Sequence, residues 1–361
     1  MRVRWYVVMM MVGLFGLVGV RSLQANDSNN EVPASKLSKG IAYVAMGPSH
    51  NVAAIDIATG QVMGTLAAGW NPHGVAATPD GRYLVTTSRK LKANSSPVPI
   101  RVAILDTKTF QTLARLDVGG DSHHAFVNPQ GNHAYVSVPA RGGIAVIDIP
   151  SRRVIKHVPT GKRANSIVTS PNGGVIYVTN KGVDTLSVID GNTFEVVATV
   201  PLGAGPDHLT IDGAGRWLYV SNAFSNDVSV VDLEVRKEVA RIPVAQGPHG
   251  LGLSRDGKVL YVASRGGKTV AAIDLHSRKV VRMKPLGKGP GHLTVTPDGK
   301  RIYVNDEKLG KIWVLEPETL TVQTSIPLWP EPHETTVVLP IGRHGGKGDF
   351  RAGGPLPRQK E

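Results

Sequence analysis

Short runs of alternating apolar and polar residues, each followed by a turn, recur along most of the chain. Residues 176–180 read IYVTN, residues 218–222 read LYVSN and residues 186–190 read LSVID. Alternation rich in β-branched residues predicts β-strands, and the Pro-Asp-Gly triplets between the runs have turn chemistry. The pattern therefore predicts an all-β protein.

The runs repeat with a fixed period. Tyrosines stand 42 residues apart at Tyr135, Tyr177, Tyr219, Tyr261 and Tyr303, and aspartates keep the same spacing at Asp106, Asp148, Asp190, Asp232 and Asp274. A fixed period of this length is typical of repeat architectures. Because each unit contains four strand-like segments, the repeat indicates the four-stranded blades of a β-propeller.

Seven such units can be counted along the chain. Six are continuous and begin near residues 73, 124, 165, 208, 249 and 292, and the seventh is split between residues 41–69 and 334–340. Pairing of the C-terminal strand with the N-terminal unit would close the ring at the seam. We therefore predict a single seven-bladed β-propeller of four-stranded antiparallel blades over residues 40–340.

An aspartate ends the third strand of most units. A serine or threonine follows it three residues later, as at Thr59, Thr109, Ser151 and Thr193. A carboxylate that accepts a hydrogen bond from the backbone two residues further on would close this turn. We predict that these aspartates are structural and not catalytic.

The segments outside the repeat have different compositions. Residues 1–25 combine Arg2 and Arg4 with an apolar run and a small residue, which predicts a cleavable signal peptide and a periplasmic or secreted protein without a transmembrane span in the mature chain. Residues 26–39 are polar and residues 341–361 are basic and glycine-rich, so both are predicted to be flexible.

The repeat motif also carries a family resemblance. Tyr177, Val178, Thr179 and Asn180 spell the motif of the YVTN-repeat β-propeller proteins, a WD40-like class, and the likeness extends over residues 40 to 340. The resemblance implies an exported or surface-bound propeller. The same broad architecture occurs in lactonases, streptogramin lyases, and the propellers of nitrous oxide reductase and haem-d1 nitrite reductase, so the resemblance specifies the fold more closely than the function.

The composition of the chain excludes some kinds of binding site and favours some kinds of partner. The chain has no cysteine, which excludes disulfides, thiolate metal ligands and covalently attached c-type haem. Its net charge of +13, or +10 without the three arginines of residues 1–25, favours an anionic small molecule or an acidic protein as partner. Nucleic acid is a weaker alternative, because only 5% of the residues are aromatic. We expect a monomer.

Histidines recur where each unit begins. Six of the seven units carry them. In five units the histidine stands directly after a proline or one residue later, and in the sixth His123 and His124 fill both positions. The histidines are His73, His123, His124, His208, His249, His292 and His333, whereas the remaining unit has Asn165. The loops that enter the innermost strands of a propeller share one rim, so these side chains are expected near one axis.

Two hypotheses account for the recurring histidines. Convergent neutral imidazoles are good ligands for copper or zinc, or for a non-covalent haem. This interpretation gives a metal site of His73, His124, His208, His249, His292 and His333. Alternatively, each histidine hydrogen-bonds the backbone of a neighbouring blade and fixes its loop, since every interface between blades is alike.

The same rim is predicted to be basic. Its candidate ligand-binding cations are Lys90, Lys92, Arg141, Lys181 and Arg265. No serine-hydrolase, metalloprotease or nucleotide-binding motif occurs in the sequence, so we predict a binding or scaffold protein that recognises an anionic ligand or a partner protein through this rim. The alternatives are a metal- or haem-binding propeller, and a lactonase- or lyase-like enzyme that uses Asp207 or Glu334 with the histidines.

Overall fold

The structure is a computed structural model that describes residues 40–89, 102–328 and 331–338. The described residues form 28 β-strands in seven four-stranded antiparallel sheets, together with a short 3₁₀ helix, Pro139–Arg141. Each innermost strand contacts the innermost strands of the two neighbouring sheets, and the last of them contacts the first. The sheets therefore close into a ring, and the prediction of a seven-bladed β-propeller is confirmed.

Each blade is ordered from its innermost strand at the axis to its outermost strand. Blade 1 consists of β28 (Pro332–Val338), β1 (Ile41–Met46), β2 (Asn51–Asp56) and β3 (Val62–Ala67), and blade 2 of β4 (Pro72–Ala77), β5 (Tyr83–Ser88), β6 (Val102–Asp106) and β7 (Thr112–Leu116). Blade 3 consists of β8 (Ala125–Val127), β9 (His133–Val138), β10 (Gly143–Asp148) and β11 (Arg153–Pro159), and blade 4 of β12 (Ala164–Thr169), β13 (Val175–Asn180), β14 (Thr185–Asp190) and β15 (Val196–Pro201).

The other three blades follow the same order. Blade 5 consists of β16 (Pro206–Ile211), β17 (Trp217–Asn222), β18 (Asp227–Asp232) and β19 (Lys237–Pro243). Blade 6 consists of β20 (Pro248–Leu253), β21 (Val259–Ser264), β22 (Thr269–Asp274) and β23 (Lys279–Pro285), and blade 7 of β24 (Pro290–Val295), β25 (Ile302–Asp306), β26 (Lys311–Leu315) and β27 (Val322–Pro327).

The hydrophobic core lies between the blades. On β13, Ile176 and Val178 pack against blade 3, whereas Tyr177 between them packs against blade 5. Successive strand residues point to opposite faces, and both faces of an inner strand are covered by a neighbouring blade. This explains why the second and third strands have nearly continuous apolar sequences.

The innermost strands begin slightly earlier than predicted. Strand β28 spans Pro332–Val338 rather than 334–340, and β24 begins at Pro290 rather than at His292. Proline is tolerated as the first residue of a strand, because its missing N–H removes no necessary ladder bond there. The histidines after these prolines therefore lie in strands instead of in the preceding loops.

The turn aspartates behave as predicted. The Asp56 carboxylate accepts hydrogen bonds from the N–H groups of Ala58 (2.7 Å) and Thr59 (3.0 Å). Equivalent bonds to backbone N–H groups are made by Asp106, Asp148, Asp190, Asp232 and Asp274, and Glu316 does the same in blade 7.

The predicted signal segment 1–25, the polar segment 26–39 and the basic tail 341–361 lie outside the described residues. Within the part of the chain that the structure describes, no helix has the length and apolar character of a membrane span.

Candidate functional site

The innermost strands carry a β-bulge at the same place near the rim. In blade 5, Pro206 pairs with Asn222 and Leu209 pairs with Val220, so that Asp207 and His208 together oppose the single residue Ser221. The same register shift occurs in β4, β12, β20, β24 and β28. A bulge bends the strand and redirects its side chains, and bulges are frequent beside active sites.

The bulge explains why histidines at two adjacent sequence positions face the same axis. We call the two bulge residues position 1 and position 2. Position 1 is occupied by His73, His249 and His333, and position 2 by His208 and His292. His123 and His124 fill the corresponding places directly before β8.

The seven imidazoles form one continuous group, which we call the histidine cluster. Ring centroids lie 4.7 Å apart for His124 and His208, 4.5 Å apart for His208 and His292, and 5.3 Å apart for His124 and His292. The other four rings are those of His73, His123, His249 and His333. The centroid of each lies within 5 Å of the centroid of another ring in the cluster. The structure therefore brings together all seven histidines singled out in the sequence.

The two sequence positions give two tiers. The upper tier, His73, His123, His249 and His333, lines a cavity of about 570 Å³ at the mouth of the ring. The deep tier consists of His124, His208 and His292, which are 2%, 7% and 4% exposed and come from the alternate blades 3, 5 and 7. One ligand nitrogen from each of the three deep histidines lies within 4.8 Å of the other two.

Six of the seven imidazoles have a buried ring nitrogen without a hydrogen-bond partner. In the deep tier these atoms are Nε2 of His124, His208 and His292, and in the upper tier they are Nδ1 of His123, His249 and His333. Leaving a buried polar atom unpaired costs about 1–3 kcal/mol, and native proteins contain few such atoms. So many unpaired nitrogens in one place indicate a site built for a ligand.

Carboxylates fix the orientation of two of these rings. His124 Nδ1 donates to Glu334 Oε2 (3.4 Å), which places the lone pair of this ring on its unpartnered Nε2. His333 Nε2 lies 3.1 Å from Glu307 Oε1. A metal-binding histidine is commonly held by a carboxylate in this way.

The alternative hypothesis, in which the histidines bind the backbone of a neighbouring blade, fits only His73 among the seven. His73 Nδ1 donates to the carbonyl oxygen of His123 (3.2 Å), while its Nε2 accepts from Arg89 (2.9 Å). Elsewhere the third residue of the YVTN-like motif fulfils this role. Cross-blade hydrogen bonds to the carbonyl of position 1 are donated by Thr87 (2.7 Å), Thr179 (2.9 Å), Ser221 (2.7 Å) and Asn305 (2.6 Å).

This role of the motif residues was not predicted from the sequence. Its signal was a polar third residue in five of the seven repeats: Thr87, Ser137, Thr179, Ser221 and Asn305. Because these side chains fix the bulges, the imidazoles are left free for another purpose.

Six histidines of the cluster are held in the neutral form. Burial, followed by the charges of neighbouring imidazoles and cations, lowers the pKa well below its usual value of 6.5 for His73, His123, His208, His249, His292 and His333. Neutral imidazole is the form that binds a metal ion.

The predicted basic rim is only partly assembled at the cavity. Lys181 and Arg265 line it, whereas Arg141 is exposed at the end of the 3₁₀ helix and is not part of the lining. Lys90 and Lys92 lie outside the described residues. The lining cations Arg89, Arg163, Lys181 and Arg265 are matched by the lining carboxylates Asp121, Asp207, Glu307 and Glu331.

Two of these carboxylates are firmly paired. Asp207 binds Lys181 Nζ (2.6 Å) and accepts a hydrogen bond from Asn165 Nδ2, so Asn165 bridges to the next blade where the other blades have histidine. Burial opposes ionisation of Asp207, but the ion pair with Lys181 favours the charged form, and the pKa of Asp207 is lowered. Glu307 pairs with Arg265, and burial raises its pKa.

Comparison with known proteins agrees with the fold. A family model described as YNCE-like beta-propeller matches residues 34–291. No curated protein matches the chain significantly.

Several solved structures share the architecture. Hydrazine synthase from Kuenenia stuttgartiensis superposes with a TM-score of 0.68 at 21% identity, over 77% of this chain and 92% of that one. The periplasmic gluconolactonase PpgL from Pseudomonas aeruginosa gives 0.71 at 20% identity, over 83% and 99%. Dihydro-heme d1 dehydrogenase NirN gives 0.63 at 19% identity, over 81% and 64%. At these identities the likeness concerns the fold alone.

Proposed function

Because the chain belongs to the YNCE-like β-propeller family and gathers seven imidazoles at the axis of that fold, we propose that it is a transition-metal-binding protein. The ion, copper or zinc, is held by the deep tier of His124, His208 and His292. The observation that carries the proposal is that these three buried histidines each have an unpartnered Nε2 and each bring one ring nitrogen within 4.8 Å of a ring nitrogen of the other two. From the predicted signal segment we place this function outside the cytoplasm.

The donor set favours these metals. Imidazole suits copper, zinc, iron and nickel, and affinity rises along that series to copper. Three histidines with an open fourth position are a common catalytic zinc arrangement. Nitrogens bound to one zinc ion at about 2.0–2.1 Å lie within about 4 Å of one another, so the separation of up to 4.8 Å needs only small ring movements.

The surroundings do not favour an anion. Six of the seven imidazoles are neutral, and the cavity lining contains four cations and four carboxylates. An anionic ligand would therefore have to displace a carboxylate from Lys181 or Arg265 before it gained a strong partner. For the same reason Asp207 is engaged and does not serve as a free general base, which weighs against the lactonase-like alternative.

The test is equilibrium binding of Cu²⁺ and Zn²⁺ to chelator-treated protein, measured by competition with a chelator of known affinity. We expect one tightly bound ion per chain. Replacing His124, His208 and His292 together by Asn should weaken binding by at least about 100-fold, since even losing an outer partner of a ligand costs 10–100-fold.

The matched control is His157→Asn, which changes an exposed histidine of β11 outside the cluster and should leave affinity unchanged. Circular dichroism of each variant checks that the propeller is folded. Equal and negligible binding by the parent and the triple variant would refute the proposal.

A further inference from the structure

The two tiers of the cluster differ in how a solute reaches them. The upper histidines line the cavity, whereas the deep histidines are not among its lining residues. An ion that enters from this cavity therefore meets His123, His249 and His333 before it meets the deep tier.

Each deep histidine is paired with one upper histidine whose Nδ1 is unpartnered. The ring centroids lie 4.3 Å apart for His123 and His124, 4.3 Å apart for His249 and His208, and 4.5 Å apart for His333 and His292. In every pair both rings offer a free nitrogen.

Each pair belongs to a group of three side chains that could hold a metal ion. Besides the deep tier there are three such groups, and within each group the ligand atoms lie within 4.8 Å of one another. These groups are His73 with His123 and His124, Asp207 with His208 and His249, and His292 with Glu307 and His333. Each group thus shares one histidine with the deep tier.

Resting on the proposed function, we infer that the upper tier is a relay that captures the metal ion at the cavity and passes it to the deep tier. A captured ion is bound by an upper imidazole together with its deep partner. The deep partner keeps its bond while the upper imidazole is exchanged for a second deep imidazole. No step requires a bare ion in the protein interior, where an unpaired charge is very costly.

The flanking carboxylates lower the barrier for the incoming cation. Asp207 and Glu307 belong to two of the three outer groups, and each is held by a single side-chain cation, Lys181 or Arg265. Their negatively charged oxygens are ligand atoms that a divalent ion can reach first at the cavity wall. Lys181 and Arg265 balance that charge while no metal is bound.

The relay predicts that the upper tier controls the rate of loading and not the final affinity. Metal-free protein is mixed rapidly with Cu²⁺, and the copper–imidazole absorption band is followed over time. The upper-tier variant carries His123→Asn, His249→Asn and His333→Asn, and His73 is kept because both its nitrogens have partners. We expect copper loading to slow at least about tenfold. The equilibrium affinity should stay within about threefold of the parent, because the variant loses the entry path but keeps the deep site intact.

Other outcomes separate this inference from the proposed function. Loading at the parent rate would overturn the relay and leave the deep site standing. A loss of affinity as large as in the deep-tier variant, or a second bound ion that disappears with the upper tier, would show that the upper histidines are permanent ligands and would also overturn it. If the parent binds no copper, the proposed function itself fails.

Discussion

Two polar positions recur around this propeller, and they differ in what their side chains bind. In six of the seven blades, the aspartate at the end of the third strand uses its carboxylate to accept neighbouring backbone N–H groups, as Asp190 does for Asn192 and Thr193 at 2.9 Å each. The histidines of the innermost bulges leave ring nitrogens buried and unpaired in six of seven cases. Both sets follow the same repeat, yet only the aspartates are satisfied within the fold.

The difference shows that repetition by itself does not separate a structural residue from a functional one. A residue repeated for stability should find its partners within the repeat, because each unit and its neighbours supply the same groups. A residue whose polar atoms are buried without partners lowers stability and needs another reason to be retained. Whether the buried polar atoms have hydrogen-bond partners therefore distinguishes the turn aspartates from the histidines.

The largest expected contrast is in the dependence of stability on pH. The six histidines with lowered pKa are neutral when folded but titrate near 6.5 when unfolded, so between their folded pKa and about 6.5 the unfolded chain binds more protons. The free energy of unfolding must then fall as the pH drops from 7.5 to 5.5. The slope reaches about 1.4 kcal/mol per pH unit for each such histidine.

Urea denaturation of chelator-treated protein at pH 5.5, 6.5 and 7.5 measures this slope. The turn aspartates should not contribute in this window. Their pKa is lowered from 3.8, so their stabilisation is complete above that value and is lost only as the pH falls through the folded pKa. The deep-tier Asn variant should show a shallower slope, and a stability that does not change with pH would contradict the burial of neutral imidazoles.

A smaller effect is expected when a turn aspartate is removed. Asp106 is buried, accepts hydrogen bonds from Lys108 and Thr109, and pairs with Arg82 at 2.8 Å. Asp106→Ala should lower the free energy of unfolding by about 2 kcal/mol, because two backbone N–H groups and the Arg82 guanidinium lose a buried acceptor. Copper affinity should stay at the parent value. A loss of both stability and copper affinity would show that this turn contributes to the metal site.

The smallest change is expected from the carboxylate that orients His124. Glu334→Gln keeps the shape of the side chain but weakens the hydrogen bond that holds the His124 lone pair at Nε2. Copper affinity should fall about tenfold, within the range found for outer partners of metal-binding histidines. Asp121→Asn, a change of another carboxylate lining the cavity, is the control, and equal effects of the two substitutions would mean that only general charge matters.

Much of the fold followed from the sequence because its signals are local and repeated. The tyrosine and aspartate columns indicated the number of blades, and the turn chemistry of the aspartates was interpreted correctly. The innermost strands were placed about two residues too late at β24 and β28, because the prolines before His292 and His333 resemble loop residues although they begin strands.

The sequence by itself determined that seven histidines stand at one end of the innermost strands, since this depends only on chain order and the four-stranded repeat. Whether their rings meet was decided by the tertiary structure. A bulge is a feature of pairing between two strands, and the tiers arise from six blades that close around one axis. The unpaired nitrogens are likewise a property of the packed ring, because Thr179 and Ser221 reach carbonyl groups of the adjacent blade only after the blades are in contact.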